Sequence, residues 1–196
     1  MCLIICNQTS NSIPEKFINL AYFHNHDGFG IMWAERGKIN TIQGLFDLKE
    51  IKKIISSVKH KHYAAHFRYT TAGSTTADMT HPFPINYDLY MMHNGVLLPD
   101  VNPTETESDT FLFAKKLSRK PEMINSNLGK YIGFQNKLVF LHNNGKFTII
   151  NEEVGHYING MWFSNRYSIQ NTKEEADKME KNEDDYAVML NSKFSI

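Results

Sequence analysis

The chain has 196 residues, 41% of them hydrophobic and 21% charged, and its formal net charge at pH 7 is zero. This length accommodates one domain with a sizeable core. The balanced charge argues against nucleic acid or an anionic membrane as the main partner. The sequence has no secretory signal and no long apolar span, so we expect a soluble, cytoplasmic protein without a membrane partner. Its two cysteines, Cys2 and Cys6, do not suggest a disulfide framework.

Hydrophobic periodicity predicts short strands alternating with a few helices, which together indicate an α+β domain. Prolines at 82 and 84 argue against ladder pairing in residues 81–84. The predicted strands are 3–6, 29–34, 39–42, 63–68, 88–93, 138–142, 147–150 and 161–164, the seventh joined to the sixth by a hairpin. The predicted helices are 14–23, 47–58 and 108–117.

The only predicted domain boundary follows this region. Residues 1–170 form the predicted domain, and residues 171–196 form a C-terminal tail. Nearly every residue from Thr172 to Asp185 is charged or polar. Such a segment buries little apolar surface, so we expect a solvated helix or a disordered tail.

Cys2 is the first candidate for chemistry. Removal of Met1 would leave a thiol and a free α-amine on one residue. The thiolate attacks a carbonyl, and an α-amine with an ordinary pKa of about 7.7–8.0 takes and returns a proton at neutral pH. The alternative is a small buried thiol, which is our interpretation of Cys6.

Arg68 ends a predicted buried strand beside a loop of small and polar residues. A guanidinium at such a position can hold a carboxylate through two parallel hydrogen bonds. The alternative is a surface arginine in an ion pair, and these residues alone favour it.

Two further segments also have structural and functional interpretations. Asn94-Gly95 is a common hairpin turn, but an asparagine amide and a backbone N–H can also form an oxyanion hole. Asp109 begins a predicted helix and can stabilise its first turn, or its carboxylate can bind a substrate ammonium.

The nine histidines do not form a recognisable metal motif. His24 and His26 with Asp27, or His60 with His62, lack the compact spacing and further ligands of a zinc site. We therefore predict no metal and no cofactor.

Taken together, several segments resemble the class II glutamine amidotransferase domain of the N-terminal-nucleophile (Ntn) hydrolases, and most of all its small stand-alone members. The resemblance runs from Cys2 to roughly Arg166. Besides the Met1-Cys2 start, it is carried by Asp27-Gly28-Phe29-Gly30-Ile31, His66-x-Arg68-Tyr69-x-Thr71-x-Gly73, His81-Pro82-Phe83, His93-Asn94-Gly95 and Ser108-Asp109-Thr110.

This resemblance implies a four-layer αββα sandwich, with two antiparallel sheets between helix layers. It also implies roles for the candidate residues. Cys2 would be the nucleophile and its α-amine the base. Arg68 would bind the glutamine α-carboxylate, and Thr71 would line the substrate pocket beside Arg68. Asp109 would bind the α-amine, and Asn94 and Gly95 would form the oxyanion hole.

The implied reaction is cleavage of the glutamine side-chain amide through a γ-glutamyl thioester, which releases ammonia and then glutamate. Larger family members continue into a domain that consumes the ammonia, and this chain shows only the charged tail. Either a separate synthetase subunit accepts the ammonia, or the protein hydrolyses a γ-glutamyl peptide or conjugate without transfer. A third alternative is a catalytically silent binding or regulatory subunit, which retained Met1 would favour.

Overall fold

The computed structural model describes residues 2–9, 11–97 and 101–166. No helix in these ranges is long and apolar enough to cross a membrane. The helices are α1 (Glu15–His24), α2 (Leu48–Ser57), α3 (Asp109–Arg119) and α4 (Leu128–Ile132). The strands are β1 (Leu3–Asn7), β2 (Phe29–Glu35), β3 (Lys38–Leu45), β4 (Tyr63–Phe67), β5 (Phe83–Asn86), β6 (Leu89–Asn94), β7 (Lys137–His142), β8 (Phe147–Ile150), β9 (His156–Ile158) and β10 (Met161–Phe163).

The strands form two antiparallel sheets, which confirms the predicted α+β class. The first sheet has six strands in the order β3-β2-β4-β1-β10-β9, and the second has four in the order β5-β6-β7-β8. Every observed strand pair is antiparallel. The chain therefore contains no parallel crossover among the described strands.

Strand β1 lies inside the first sheet and pairs with β4 on one side and β10 on the other. All five of its residues are buried. Leu3 lies opposite Phe67, and Ile5 lies opposite both Ala65 and Phe163. This register brings the start of β1 beside the end of β4.

Three apolar clusters fill the core, because alternate residues of a strand face opposite sides of its sheet. One joins the first sheet to α1 and α2 and includes Ile18, Ile51 and Phe67. Another joins the second sheet to α3 and α4 and includes Phe113 and Phe140. The third draws residues from both sheets, namely Ile4, Cys6, Met32, Ala64, Met92, Val139, Leu141, Phe147 and Trp162.

Most predicted elements are present, with two corrections. Residues 83–86 form the edge strand β5, so the exclusion of ladder pairing near Pro84 was wrong. Proline is tolerated there because an edge strand leaves one side without a pairing partner. Asn94-Gly95 is not a hairpin turn, since β6 ends at Asn94 and pairs with β5 and β7. The predicted boundary at residues 170 and 171 lies outside the described residues.

The third apolar cluster predicts that replacing Trp162 destabilises the fold much more than replacing Trp33. Trp162 is completely buried, and its Nε1 donates to the Glu152 carbonyl at 3.0 Å, whereas Trp33 is only partly buried. Trp162→Ala is expected to lower the free energy of unfolding by about 3–5 kcal/mol, and Trp33→Ala by clearly less. Urea denaturation followed by circular dichroism measures both. Equal losses would contradict a core built around Trp162.

Candidate active site

A small pocket, partly open to solvent, lies where β1 begins, β4 and β6 end and α3 begins. Cys2 and Arg68 meet there because Leu3 pairs with Phe67, which makes Cys2 and Arg68 the next opposing positions. All of the predicted site residues except Asn94 line this pocket, and Asn94 contacts the Cys2 carbonyl. The lining residues are Cys2, Arg68, Tyr69, Thr71, Ala72, Met79, His81, His93, Gly95, Ser108, Asp109 and Thr110.

The backbone of Tyr69 holds the Cys2 thiol. The Tyr69 N–H donates to Cys2 Sγ at 3.3 Å, and the thiol donates to the Tyr69 carbonyl at 3.2 Å. Burial raises the pKa of Cys2, while the Tyr69 N–H and the charge of Arg68 act in the opposite direction. The thiol therefore needs a base to become a nucleophile at neutral pH.

Two asparagine side chains hold the Cys2 carbonyl. Asn165 Nδ2 donates to it at 2.6 Å, and Asn94 Nδ2 forms a second, short hydrogen bond to the same oxygen. Because an amide nitrogen has two hydrogens, Asn94 keeps one for another acceptor. The first peptide group of β1 is thereby fixed in orientation.

The Arg68 side chain is only 4% exposed, yet it is incompletely paired. Its Nη2 makes a long hydrogen bond of 3.4 Å to the Ala72 carbonyl, and its Nη1 has no hydrogen-bond partner among the described residues. Burial lowers the pKa of Arg68, and the charges of Cys2, Asp27 and Asp109 oppose that effect. A buried guanidinium with a free N–H is suited to an anionic ligand.

Asp27 and Gly28 anchor the chain on both sides of Tyr69. Asp27 Oδ2 accepts from the Thr70 N–H at 2.7 Å, and the Asp27 N–H donates to the Arg68 carbonyl at 3.0 Å. The Arg68 N–H donates to the Gly28 carbonyl at 2.8 Å. These bonds fix the Tyr69 peptide groups that contact the thiol.

Asp109 lines the pocket as the first residue of α3, behind the N-cap Ser108. Its Oδ2 accepts from the Leu97 N–H at 2.8 Å and its Oδ1 from the Thr110 N–H at 2.7 Å. Oδ1 also lies 3.3 Å from Thr110 Oγ1, whereas Oδ2 retains a lone pair for a cationic ligand. The carboxylate thus stabilises its loop and also faces the pocket.

Gly95 and Thr71 complete the predicted set, and both line the pocket. Gly95 has φ +143°, and an added Cβ would lie 2.2 Å from Asn136 Oδ1, so a side chain does not fit. The loop that carries Thr71 packs against the start of α3, since a Cβ on Gly73 would lie 2.7 Å from the Ser108 nitrogen.

Three buried histidines support the pocket, and the sequence patterns assigned them no role. His93 Nε2 donates to Asn136 Oδ1 at 2.9 Å, and its Nδ1 accepts from Thr110 Oγ1 at 2.7 Å. The rings of His66 and His81 meet edge to face with centroids 3.9 Å apart. Burial lowers the pKa of all three, so they are neutral beside the charged Arg68.

Sequence reasoning also missed Asn165 and the Tyr69 backbone. Asn165 lies outside every predicted motif, and backbone donors carry no residue signature. No group of three His, Cys, Asp or Glu side chains in the described ranges is arranged to hold a metal ion.

No protein-family model and no curated protein matches the sequence. Among solved structures, the chain is similar to the glutamine phosphoribosylpyrophosphate (PRPP) amidotransferase from B. subtilis complexed with ADP and GMP, with a TM-score of 0.54 and 15% identity. The match covers 87% of this chain and 43% of that one, so the chain spans less than half the length of its structural neighbour. At this identity the likeness shows a shared fold.

The charge of Arg68 is expected to affect the reactivity of Cys2. Since that charge favours the thiolate, Arg68→Met should raise the pH midpoint of Cys2 alkylation. Iodoacetamide labelling at a series of pH values, mapped to Cys2 by peptide mass spectrometry, measures the midpoint. Arg36→Met, in the exposed turn between β2 and β3, is the matched control. Equal midpoints in the two variants would exclude the electrostatic contact.

Proposed function

We propose that the chain is an amide hydrolase of the class II glutamine amidotransferase type, with Cys2 as its nucleophile after loss of Met1. The observation that carries the proposal is the pairing in one pocket of the Cys2 thiol and the unpaired, buried Nη1 of Arg68. The substrate is glutamine or another γ-glutamyl compound, since both present a carboxylate and a side-chain amide on one short molecule.

We infer that the three apolar clusters correspond to the interfaces of a four-layer αββα sandwich. The third cluster contains strand residues of both sheets, and the other two pair each sheet with its own helices. In this arrangement the start of β1 lies at one end of the inter-sheet layer. The nucleophile would then be accessible without disturbing the core.

Substrate binding in this proposal uses the charged groups of the pocket. Arg68 Nη1 holds the α-carboxylate, with Thr71 beside it, and Asp109 faces the α-ammonium. The second N–H of the Asn94 amide and the Gly95 N–H then point at the γ-carbonyl oxygen. Buried charge-assisted hydrogen bonds of this kind give both affinity and orientation.

The proposed reaction has two balanced steps. The Cys2 α-amine takes the thiol proton as Sγ attacks the γ-carbonyl carbon, and the resulting oxyanion is held by Asn94 and Gly95. The C–N bond then breaks, the amine leaves with that proton, and a γ-glutamyl thioester remains. Water, deprotonated by the same α-amine, attacks the thioester, and glutamate leaves as the thiol is restored.

The shared fold supports this proposal, because the structural neighbour is by its name a glutamine amidotransferase. The match covers less than half of the neighbour, so the acceptor of the nitrogen is left open. Either a separate synthetase subunit takes the ammonia, or the released amine is an end product.

Intact mass spectrometry with a glutamine-analogue electrophile that alkylates thiolates tests the nucleophile. We expect loss of Met1 and one adduct, mapped to Cys2, because the pocket aligns the analogue with the thiol. Cys2→Ala should give no adduct, and Cys6→Ala, which removes the fully buried cysteine, should leave labelling unchanged. Retained Met1 without an adduct would refute the enzyme proposal and favour a binding subunit, because an acylated nitrogen cannot be the base.

Steady-state kinetics of glutamate release should distinguish the role of Asn94 in the oxyanion hole from the role of Arg68 in substrate binding. Asn94→Ala is expected to lower kcat by about 10²–10³-fold with little change in KM, because it removes an oxyanion donor. Arg68→Met is expected to raise KM by about 10–100-fold, the loss of one charge-assisted hydrogen bond. Asn125→Ala, at an exposed asparagine far along the chain, serves as the control. If Asn94→Ala changed KM and left kcat unaltered, Asn94 would be a substrate-binding residue and not an oxyanion donor.

A further inference from the structure

His93 is a buried pocket residue without a role in the proposed reaction. It directly precedes Asn94 and Gly95 at the end of β6, lines the pocket and is only 2% exposed. Both of its ring nitrogens are hydrogen-bonded, Nδ1 to Thr110 Oγ1 at 2.7 Å and Nε2 to Asn136 Oδ1 at 2.9 Å. The ring therefore bridges the start of α3 and the residue that precedes β7.

The neighbouring hydrogen bonds determine which ring nitrogen carries the proton. Asn136 Nδ2 donates to the Ile132 carbonyl at 2.6 Å, so Asn136 Oδ1 faces His93 and accepts from Nε2. Burial lowers the pKa of His93, and the neutral ring has a single N–H, so Nδ1 accepts the proton of the Thr110 hydroxyl. His93 thus offers an acceptor toward α3 and a donor toward Asn136.

The Thr110 contact leads to the carboxylate that the proposed function assigns to the substrate ammonium. The Thr110 N–H donates to Asp109 Oδ1 at 2.7 Å, and Thr110 Oγ1 lies 3.3 Å from the same oxygen. The hydrogen bond between His93 and Thr110 holds this first turn of α3 against β6. The orientation of Asp109 therefore depends on His93 through one intervening residue.

The Asn136 contact leads to the oxyanion side of the pocket. A Cβ added to Gly95 would lie 2.2 Å from Asn136 Oδ1 and 3.0 Å from Asn136 Cα, so Asn136 packs directly on the Gly95 backbone. Asn136 is also fixed from two other directions, because its Nδ2 donates to the Ile132 carbonyl and its own carbonyl accepts from Asn151 Nδ2 at 2.7 Å. The His93 N–H holds the amide oxygen that faces Gly95.

We propose that His93 is a positioning residue that couples the ammonium-binding half of the site to the oxyanion half. Through Thr110 it orients the Asp109 carboxylate, and through Asn136 it supports the Gly95 backbone. This inference rests on the proposed function and adds a residue to its machinery. His93 transfers no proton in the reaction, because both ring nitrogens are already hydrogen-bonded and the α-amine of the nucleophile is the base.

Two substitutions at position 93 separate the two contacts, because the terminal amide of asparagine lies near the position of histidine Nδ1 and that of glutamine reaches the position of Nε2. His93→Asn keeps an acceptor for Thr110 and loses the bond to Asn136. It is expected to lower kcat for glutamate release about 5–20-fold with little change in KM. His93→Gln keeps a donor for Asn136 and loses the bond to Thr110. It is expected to raise KM about 5–20-fold with little change in kcat.

Thr110→Val tests the same contact from its other end. It removes the hydroxyl at nearly constant volume and should raise KM as His93→Gln does. The double variant should raise KM no further than either single variant, because both remove one hydrogen bond. Steady-state kinetics with glutamine measures these effects, with kcat referred to the fraction of Cys2 that the glutamine-analogue electrophile labels. This reference removes unfolded protein from kcat, and KM does not depend on the amount of folded protein.

His142 provides matched controls. It also contacts a threonine, with Nε2 3.1 Å from Thr148 Oγ1, but it pairs with Leu89 at the opposite end of the β6–β7 ladder from His93. His142→Asn and His142→Gln should therefore leave kcat and KM unchanged.

The crossed pattern of kcat and KM decides the inference. If both His93 variants changed kcat and KM by the same factors, His93 would act only in packing and the inference would be overturned, while the proposed function would stand. An unchanged KM in Thr110→Val would also overturn it, and this outcome decides the matter if the position-93 variants do not fold. Neither glutamate release nor a Cys2 adduct in the wild-type protein would overturn the proposed function together with the inference.

Discussion

The interior position of β1 is the constraint on which the site depends. Because β1 pairs with β4 and β10, its first residues are aligned with the residues that follow both neighbours. Arg68 and Tyr69 therefore lie on one side of Cys2, and Asn165 lies on the other. A chain start at the edge of the sheet would lack one of these sets of contacts. The register thus fixes the thiol, the carbonyl and the nearest cation together.

The charge distribution around Cys2 follows from burial. Three histidines close to Arg68 are neutral because desolvation lowers the pKa of each. The positive charge of Arg68 is therefore available to an anionic ligand, and the Asp109 carboxylate places a negative charge in the same pocket. In the proposed function these two charges match the α-carboxylate and the α-ammonium of a γ-glutamyl substrate.

Turn and edge chemistry explains where sequence patterns were misleading. Asn94-Gly95 has the composition of a hairpin turn, but here Gly95 is required because Asn136 occupies the space of a side chain. Pro84 was judged unable to join a ladder, yet β5 is an edge strand with one free side. Helix α2, by contrast, begins where a helix over 47–58 was predicted, and Asp47 caps it through a local bond from the Glu50 N–H. Patterns therefore succeeded where the deciding contacts were local.

The sequence by itself determined the α+β class, the positions of most strands and helices, and the candidates Cys2, Arg68, Thr71, Asn94, Gly95 and Asp109. Periodicity and motif order carry this information because they depend on neighbouring residues along the chain. Only the tertiary structure decided that Asn165 shares the Cys2 carbonyl with Asn94 and that the Tyr69 backbone holds the thiol. These contacts join residues far apart in sequence, and strand pairing alone brings them together.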